Sequence, residues 1–310
     1  MFRGLAIVLM VAANYLAGVR IVPAWLKHAP DVGFTLIDVI APMFIFAIGL
    51  TCRVSFLRRR AREGTGGAVS HHVRRYLAIA GIGAIISAGE DLFGLSESVQ
   101  AWGVLQAIGL SGLAVLPLLL LAWPWRLLAA LLLLAGYQLL LDRFWLAIVL
   151  SSSHGGLPGT LGWAGMLCLA TVLADCIGSP EAPAWRGAVG ALGVLLAGLL
   201  VGLWVPVSKN RVSSSYVLLS TGASALAYVL VRLAADRAGW RCRALERWGA
   251  NPLLLYVLHY LLLALVVLPG RAPWYAEASW WLACLQLAFM LVALGLVARA
   301  LARRGALIRL

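Results

Sequence analysis

The sequence is short of charge. Only 12% of its 310 residues are Asp, Glu, Lys or Arg, against about 25% in a soluble domain. Acids are the scarcer sign, twelve against 25 bases, and lysine is almost missing: Lys27 and Lys209 stand beside 23 arginines. Cysteine is sparse too. Cys52, Cys168, Cys176, Cys242 and Cys284 form no CxxC pair and no metal-ligand spacing, which argues against a disulfide-stapled secreted domain and against a cysteine metal site. Most of them read as small buried apolar residues. With 63% apolar residues and a mean hydropathy of +0.94, no soluble fold of this size covers its surface with polar groups. A disordered chain is excluded on the same ground. What remains is a polytopic membrane protein.

What the chain does have is long apolar runs. A helix crosses the hydrocarbon core with roughly 17–25 apolar residues. Ten runs qualify, at about 4–22, 35–55, 76–92, 103–121, 127–146, 160–177, 187–205, 214–234, 251–269 and 279–299. Asp142 and Arg143 interrupt the fifth, and FWLAIVL after them either finishes the span or lies in the interface. The start, MFRGLAIVLMVAANYLAGVR, has the form of a signal peptide, but no soluble domain follows it to be exported. The predicted fold class is all-α: a transmembrane helical bundle of about ten spans, forming a single domain over residues 1–310.

The net charge of +13 suggests a nucleic-acid partner, but arginine collects in cytoplasmic loops of membrane proteins. With the N-terminus inside, nineteen basic residues fall in cytoplasmic segments and six outside. That places both termini in the cytoplasm and argues against nucleic acid. The longest loops are about 57–75, arginine-rich with a flexible GTGG, and about 147–159, where SSSHGGLPGT is turn-forming.

Polar residues inside an apolar bundle cost at least about 2.5–3.5 kcal/mol each when charged, so they mark candidate sites. Few exist. Asn14 lies past the middle of the first span, His28 in the loop WLKHAPDVG, and Asp38 about one turn into the second span. Glu90 and Asp91 close the third, and Gln106 opens the fourth. Lys209 and Asn210 lie in VPVSKNRVSSSY; Asn251 opens the ninth span, with His259 eight residues further in. His28 is the best general base, because imidazole titrates near neutral pH. Asp38 or the Glu90–Asp91 pair can orient it. Each residue also has an ordinary structural reading. Asn14 can join helices by a hydrogen bond, His28 can be solvated, and His259 can be a satisfied core histidine. Asn251 can cap a helix that starts at Pro252. His71 and His72 fit a wet face or a lipid phosphate contact.

FRGLAIVLMVAANYLAG followed by WLKHAPDVGFTLIDVIAPMFIFAIGLT resembles the start of the heparan-alpha-glucosaminide N-acetyltransferase family. AWGVLQAIG, GGLPGTLGWAGMLCLATVLAD, VPVSKNRVSSSYVLLSTG and GANPLLLYVLHYLL resemble later blocks of that family, in the same order. The resemblance implies transfer of an acetyl group from cytoplasmic acetyl-CoA to a glucosamine amine across the membrane. It puts the catalytic histidine, as base or acetyl carrier, at His28 within Lys27–His28–Ala29, with Asn14 and Asp38 as its catalytic companions. Lys209, Asn210, Glu90 and Asp91 are the candidates for the acceptor, and His259, Asn251 and Gln106 those for acetyl-CoA. Arg58, Arg59, Arg74 and Arg75 are suited to attract the CoA phosphates. No metal is implied. The partners expected are acetyl-CoA, an amino sugar or glycan and the lipid bilayer, with room for a homodimer. The location expected is a bacterial inner membrane, with the active site towards the outer side. Ala107, Val212 and Pro158 depart from the family pattern, where Arg, Trp and Glu are usual, and that bears on the acceptor. Two other readings compete: an acyltransferase-3 type O-acyltransferase of exported glycans, and a transporter or flippase. The KHA and NPLLLYVLHY blocks favour the first family.

Overall fold

A computed structural model describes residues 1–92, 102–178, 182–267 and 271–307. The end of the ninth predicted span (268–269), Ala101 of the AWGVLQAIG block and Arg309 lie outside the described residues. Among the described residues the chain is helix and turn, without a strand. In chain order the helices are α1 (Phe2–Ala17), α2 (Ile40–Leu92), α3 (Val104–Val115), α4 (Trp123–Leu140) and α5 (Leu146–Leu150). They continue with α6 (Gly156–Ile177), α7 (Ala184–Val201), α8 (Ser214–Arg237), α9 (Arg243–Ala250), α10 (Pro252–Val267) and α11 (Trp280–Arg303).

Among the described residues, six helical stretches are long and apolar enough to cross a membrane, or seven if α9 and α10, bent by 90°, count as one. Phe2–Ala17 and Val104–Leu120 are apolar but shorter. All ten predicted apolar runs overlap a helix. α2 joins two of them. Its 53 residues would measure about 80 Å at 1.5 Å per residue, far beyond one crossing. It breaks at Gly64, whose φ of 75° and ψ of 176° are not helical.

The expected loop at 57–75 is therefore helical apart from that break. The physical reason is local: arginine and alanine are good helix formers, and Arg59 pairs with Glu63 four residues on at 2.6 Å. The fifth span runs on through Trp123–Leu150. A wider π turn at Leu141–Trp145 carries Asp142 and Arg143 without stopping the helix. The turn-forming stretch before the sixth span is shorter than expected, because α6 begins at Gly156.

The contacts divide the chain into two compact units. The first comprises Met1–Ala29, Thr35–Ala41 and Val231–Leu310. Here α1 packs against α9, α10 and α11. A Cβ at Gly4 would stand 1.9 Å from the Leu245 carbonyl oxygen, so the glycine of FRG lets the α1 and α9 backbones touch.

The second unit comprises Pro30–Phe34 and Pro42–Leu230. Its centre is α6, packed on α3, α4 and α7; the span Ser153–Ile177 is 78% buried, against 17% for Ala184–Val201. The glycines ahead of and within α6 make room for Val212: a Cβ at Gly162 would meet a Val212 methyl at 2.9 Å. Arg126, one of the nineteen basic residues assigned above to cytoplasmic segments, is fully buried in the first turn of α4. Its guanidinium donates to the Thr171 hydroxyl at 2.7 Å, to the Leu121 carbonyl at 3.2 Å and to Asp175. A buried guanidinium is tolerable only with such a full set of acceptors.

Candidate functional site

The first unit gathers four of the polar residues singled out above into two pairs. His28 follows a short 3-10 turn at Ala24–Leu26 in the loop that leaves α1. Asp38 stands in the 3-10 turn Leu36–Val39 that feeds into α2. His28 Nδ1 lies 2.7 Å from Asp38 Oδ1. A carboxylate can only accept there, so Nδ1 carries the proton and Nε2 is the basic nitrogen.

The carboxylate is fixed in turn. Oδ2 accepts from the Thr35 backbone N–H at 2.9 Å and the Ala29 N–H at 3.3 Å. The Thr35 hydroxyl lies 3.0 Å from the same oxygen and 2.8 Å from the Lys27 carbonyl, and its single hydrogen serves one of them at a time. Thr35-x-x-Asp38 is a capping box that starts the helical turn. The Asp38 side chain is fully buried while that of His28 is 35% exposed. A buried carboxylate therefore orients an imidazole that a ligand can reach, the base-plus-orienter arrangement of acyl-transfer enzymes. Of the two candidates for orienting His28, Asp38 is the one that bonds it.

Asn14 and His259 form the second pair, 2.9 Å apart between Asn14 Nδ2 and His259 Nε2. Asn14 sits one turn before the end of α1, and His259 is fully buried on α10. His259 Nδ1 also bonds the carbonyl of Tyr256. Aromatic rings close around it: Tyr260 with ring centres 4.2 Å away and Tyr256 at 5.1 Å. Next to Asn14, the Tyr15 hydroxyl donates to Gln286 Oε1 at 2.5 Å, and the Tyr275 hydroxyl donates to the Tyr15 carbonyl at 2.7 Å. Asn251 precedes Pro252 at the start of α10, as a cap would, and its Nδ2 donates to the Ala306 carbonyl at 3.0 Å.

The remaining candidates lie in the second unit. Lys209 is buried, and Asn210 Nδ2 donates to the Pro30 carbonyl at 2.5 Å. Their loop grips the 30–34 segment at further points. Gly33 N–H donates to the Val207 carbonyl at 2.8 Å, and the Ser208 hydroxyl to Asp31 at 2.9 Å. Arg211 Nε reaches both Asp31 oxygens at 3.0 and 3.1 Å. Arg211 holds the Asp31 carboxyl below the usual carboxylate range, and Asp31 raises the Arg211 guanidinium in return. Gln106 Oε1 accepts from the Gly103 N–H at 2.5 Å and the Ser87 hydroxyl at 3.0 Å, which makes it a helix-capping residue of α3. Arg58 and Arg74 are exposed on α2, Arg75 is half-buried, and Arg59 is tied to Glu63. Glu90 is half-buried and Asp91 exposed at the end of α2.

Sequence reasoning passed over Thr35, although its capping box with Asp38 is readable three residues apart. It also missed the Asp31–Arg211 pair, which joins residues 180 positions apart and leaves no local signal. The arrangement can hold a base by its far nitrogen and present an amide donor nearby along the chain, the two groups that acyl transfer requires. Residues 1–159, just over half of the chain, match the family model described as "Heparan-alpha-glucosaminide N-acetyltransferase, catalytic". No curated protein matches the chain.

Proposed function

The chain belongs to the heparan-alpha-glucosaminide N-acetyltransferase family, and from that premise we propose that it moves an acetyl group from cytoplasmic acetyl-CoA to the amine of a glucosamine-like sugar on the outer side of the membrane. Membership makes it a membrane acetyltransferase; the donor, the acceptor and the sidedness are our reading. The observation that carries it is His28 bonded through Nδ1 to the buried Asp38. An amine attacks a thioester only as it sheds a proton, and a neutral imidazole held by its other nitrogen is built to take one.

In this reading the sugar nitrogen bonds to the acetyl carbon, and its proton passes to His28 Nε2. The carbonyl oxygen, negative in the tetrahedral intermediate, takes a hydrogen bond from the Asn14 amide. The carbon–sulfur bond then breaks, and the CoA thiolate leaves and recovers a proton from His28. Asp38 stabilises the imidazolium that exists between the two transfers. Arg58, Arg59, Arg74 and Arg75 attract the CoA phosphates from the cytoplasmic side, and Asn251 and Gln106 are assigned to binding the donor. Lys209 and Asn210, with Glu90 and Asp91, bear on the acceptor. The family departures at Ala107, Pro158 and Val212 tune which acceptor it is.

The topology this reading requires has ten crossings. α2 counts as two, one on each side of Gly64, α9 and α10 count as one, and the two short apolar helices complete the set. Both termini are then cytoplasmic.

The test is a sided reconstitution. With acetyl-CoA sealed inside proteoliposomes and glucosamine outside, acetylated sugar should appear outside. Product formed only when both substrates share a compartment would overturn the crossing of the membrane. No product in any arrangement would overturn acetyl transfer itself.

A further inference from the structure

His259 is placed differently from what a donor-binding residue requires. Its ring is fully buried, and both nitrogens are engaged by the protein. The Tyr256 carbonyl can only accept, so Nδ1 carries the ring proton and donates it there. Nε2 must then be the acceptor, and the group facing it at 2.9 Å must be the N–H₂ end of the Asn14 carboxamide. The order of donors and acceptors is thereby fixed along one line: Asn14 gives to His259, and His259 gives to a main-chain carbonyl of its own helix. The partner of that line is backbone, so it cannot rotate away.

The consequence falls on Asn14. A carboxamide can flip by half a turn, exchanging its oxygen and nitrogen at little cost when nothing discriminates between them. Here a flip would set the amide oxygen against the Nε2 lone pair, two acceptors facing each other. One Nδ2 hydrogen is spent on His259, and the plane of the amide then directs its second hydrogen to a set place. Packing holds the same stretch from the other side. Tyr15, the next residue, is tied by its hydroxyl to Gln286 on α11. Its carbonyl takes the Tyr275 hydroxyl. Gly18, one turn later, lies so close to Tyr275 that a Cβ would stand 2.6 Å from the ring. The end of α1 is thus clamped in position, and His259 sets the rotation of the one side chain on it that has a donor to offer.

We propose that His259 is a positioning residue, acting through Asn14: it locks the carboxamide so that the N–H, rather than the oxygen, meets the developing oxyanion of the acetyl group. This rests on the acetyl-transfer reading above, and it removes His259 from the residues that touch acetyl-CoA. Neither the ring's charge nor its basicity takes part. What matters is an acceptor at the Nε2 position.

The experiment is a double-mutant cycle on the full-length protein in nanodiscs, with kcat, the KM for acetyl-CoA and the acetyl-CoA-induced rise in melting temperature all measured. H259L keeps the bulk and removes the acceptor. Its kcat should fall by about a hundredfold or more, the loss typical of one oxyanion donor. KM and the melting shift should change less than about twofold, as when ground-state binding is untouched. H259Q puts an amide oxygen near the Nε2 position and should recover at least about tenfold of the loss. In an Asn14→Ala background neither His259 variant should lower kcat further, because residues acting as one unit are not additive. Should H259L fail to give a folded protein, the cycle built on H259Q and Asn14→Ala decides alone.

A raised KM or a lost melting shift with kcat retained would make His259 a donor contact and overturn the proposal. Losses that multiply in the double variant would overturn it as well. A wild-type protein with no turnover would instead overturn the acetyl-transfer reading on which it rests.

Discussion

At the residue scale, one hydrogen bond decides what a side chain can do. In the proposed mechanism Asp38 makes His28 a base by occupying Nδ1. Asp38→Asn leaves the shape intact but offers an N–H to that nitrogen and selects the wrong tautomer. Transfer should fall by about 10³–10⁴-fold, as in triads that lose the carboxylate, while acetyl-CoA still raises the melting temperature. A loss below tenfold, read by acetylated-product formation, would remove Asp38 from the machinery. A second ion pair makes a pH prediction. Arg211 lowers the Asp31 carboxyl below its ordinary range, so the pair stabilises the fold at pH values above the unfolded carboxylate range, near about 4. That stabilisation is lost as pH falls through the folded value. The melting gap between wild type and Arg211→Met should be widest at neutral pH and close in acid; a gap that widens in acid would contradict the assignment. His28 and Asp38 were legible in the sequence because a charge or an imidazole stands out against apolar spans. The union of Asn14 with His259 was not, since it joins positions 245 apart and each residue alone has an ordinary role. The positioning role proposed for His259 has no sign in the sequence, which says nothing about which ring nitrogen is already taken.

At the scale of elements, glycine contacts separate structural sites from neutral ones. Gly4 touches α9 through backbone, where a Cβ would come within 1.9 Å of the Leu245 carbonyl oxygen. Neither backbone can yield without moving a helix. Gly4→Ala should cost about 1–3 kcal/mol, the usual penalty of overpacking, seen as a lower melting temperature or a lost monodisperse peak. Gly66 has nothing within 4 Å, so Gly66→Ala should be neutral or slightly stabilising through helix propensity. Equal behaviour of the two variants would refute the α1–α9 contact. The helices themselves were readable, because an apolar run long enough to cross a bilayer has few alternatives to helix. Loops were read less well. The charge and GTGG at 57–75 suggest a loop, yet Arg and Ala carry helix through it and only Gly64 breaks away. Propensity outweighs polarity where no partner is required.

At the scale of the whole molecule, the arginine distribution is a statement about sidedness. The proposed topology, ten crossings with cytoplasmic termini, puts position 25 outside and position 65 inside. In a cysteine-free background, Trp25→Cys should react with an impermeant maleimide added to intact cells, and Thr65→Cys only after permeabilisation. The reverse pattern would invert the topology and the direction of transfer with it. The central claim is narrower: His28 carries the chemistry and does not hold the donor. One measurement addresses it most directly, purified His28→Ala assayed in parallel for acetyl-CoA-dependent acetylation of glucosamine and for its melting shift with acetyl-CoA. The account predicts no transfer above background and a melting shift equal to wild type. Transfer at the wild-type rate would contradict it.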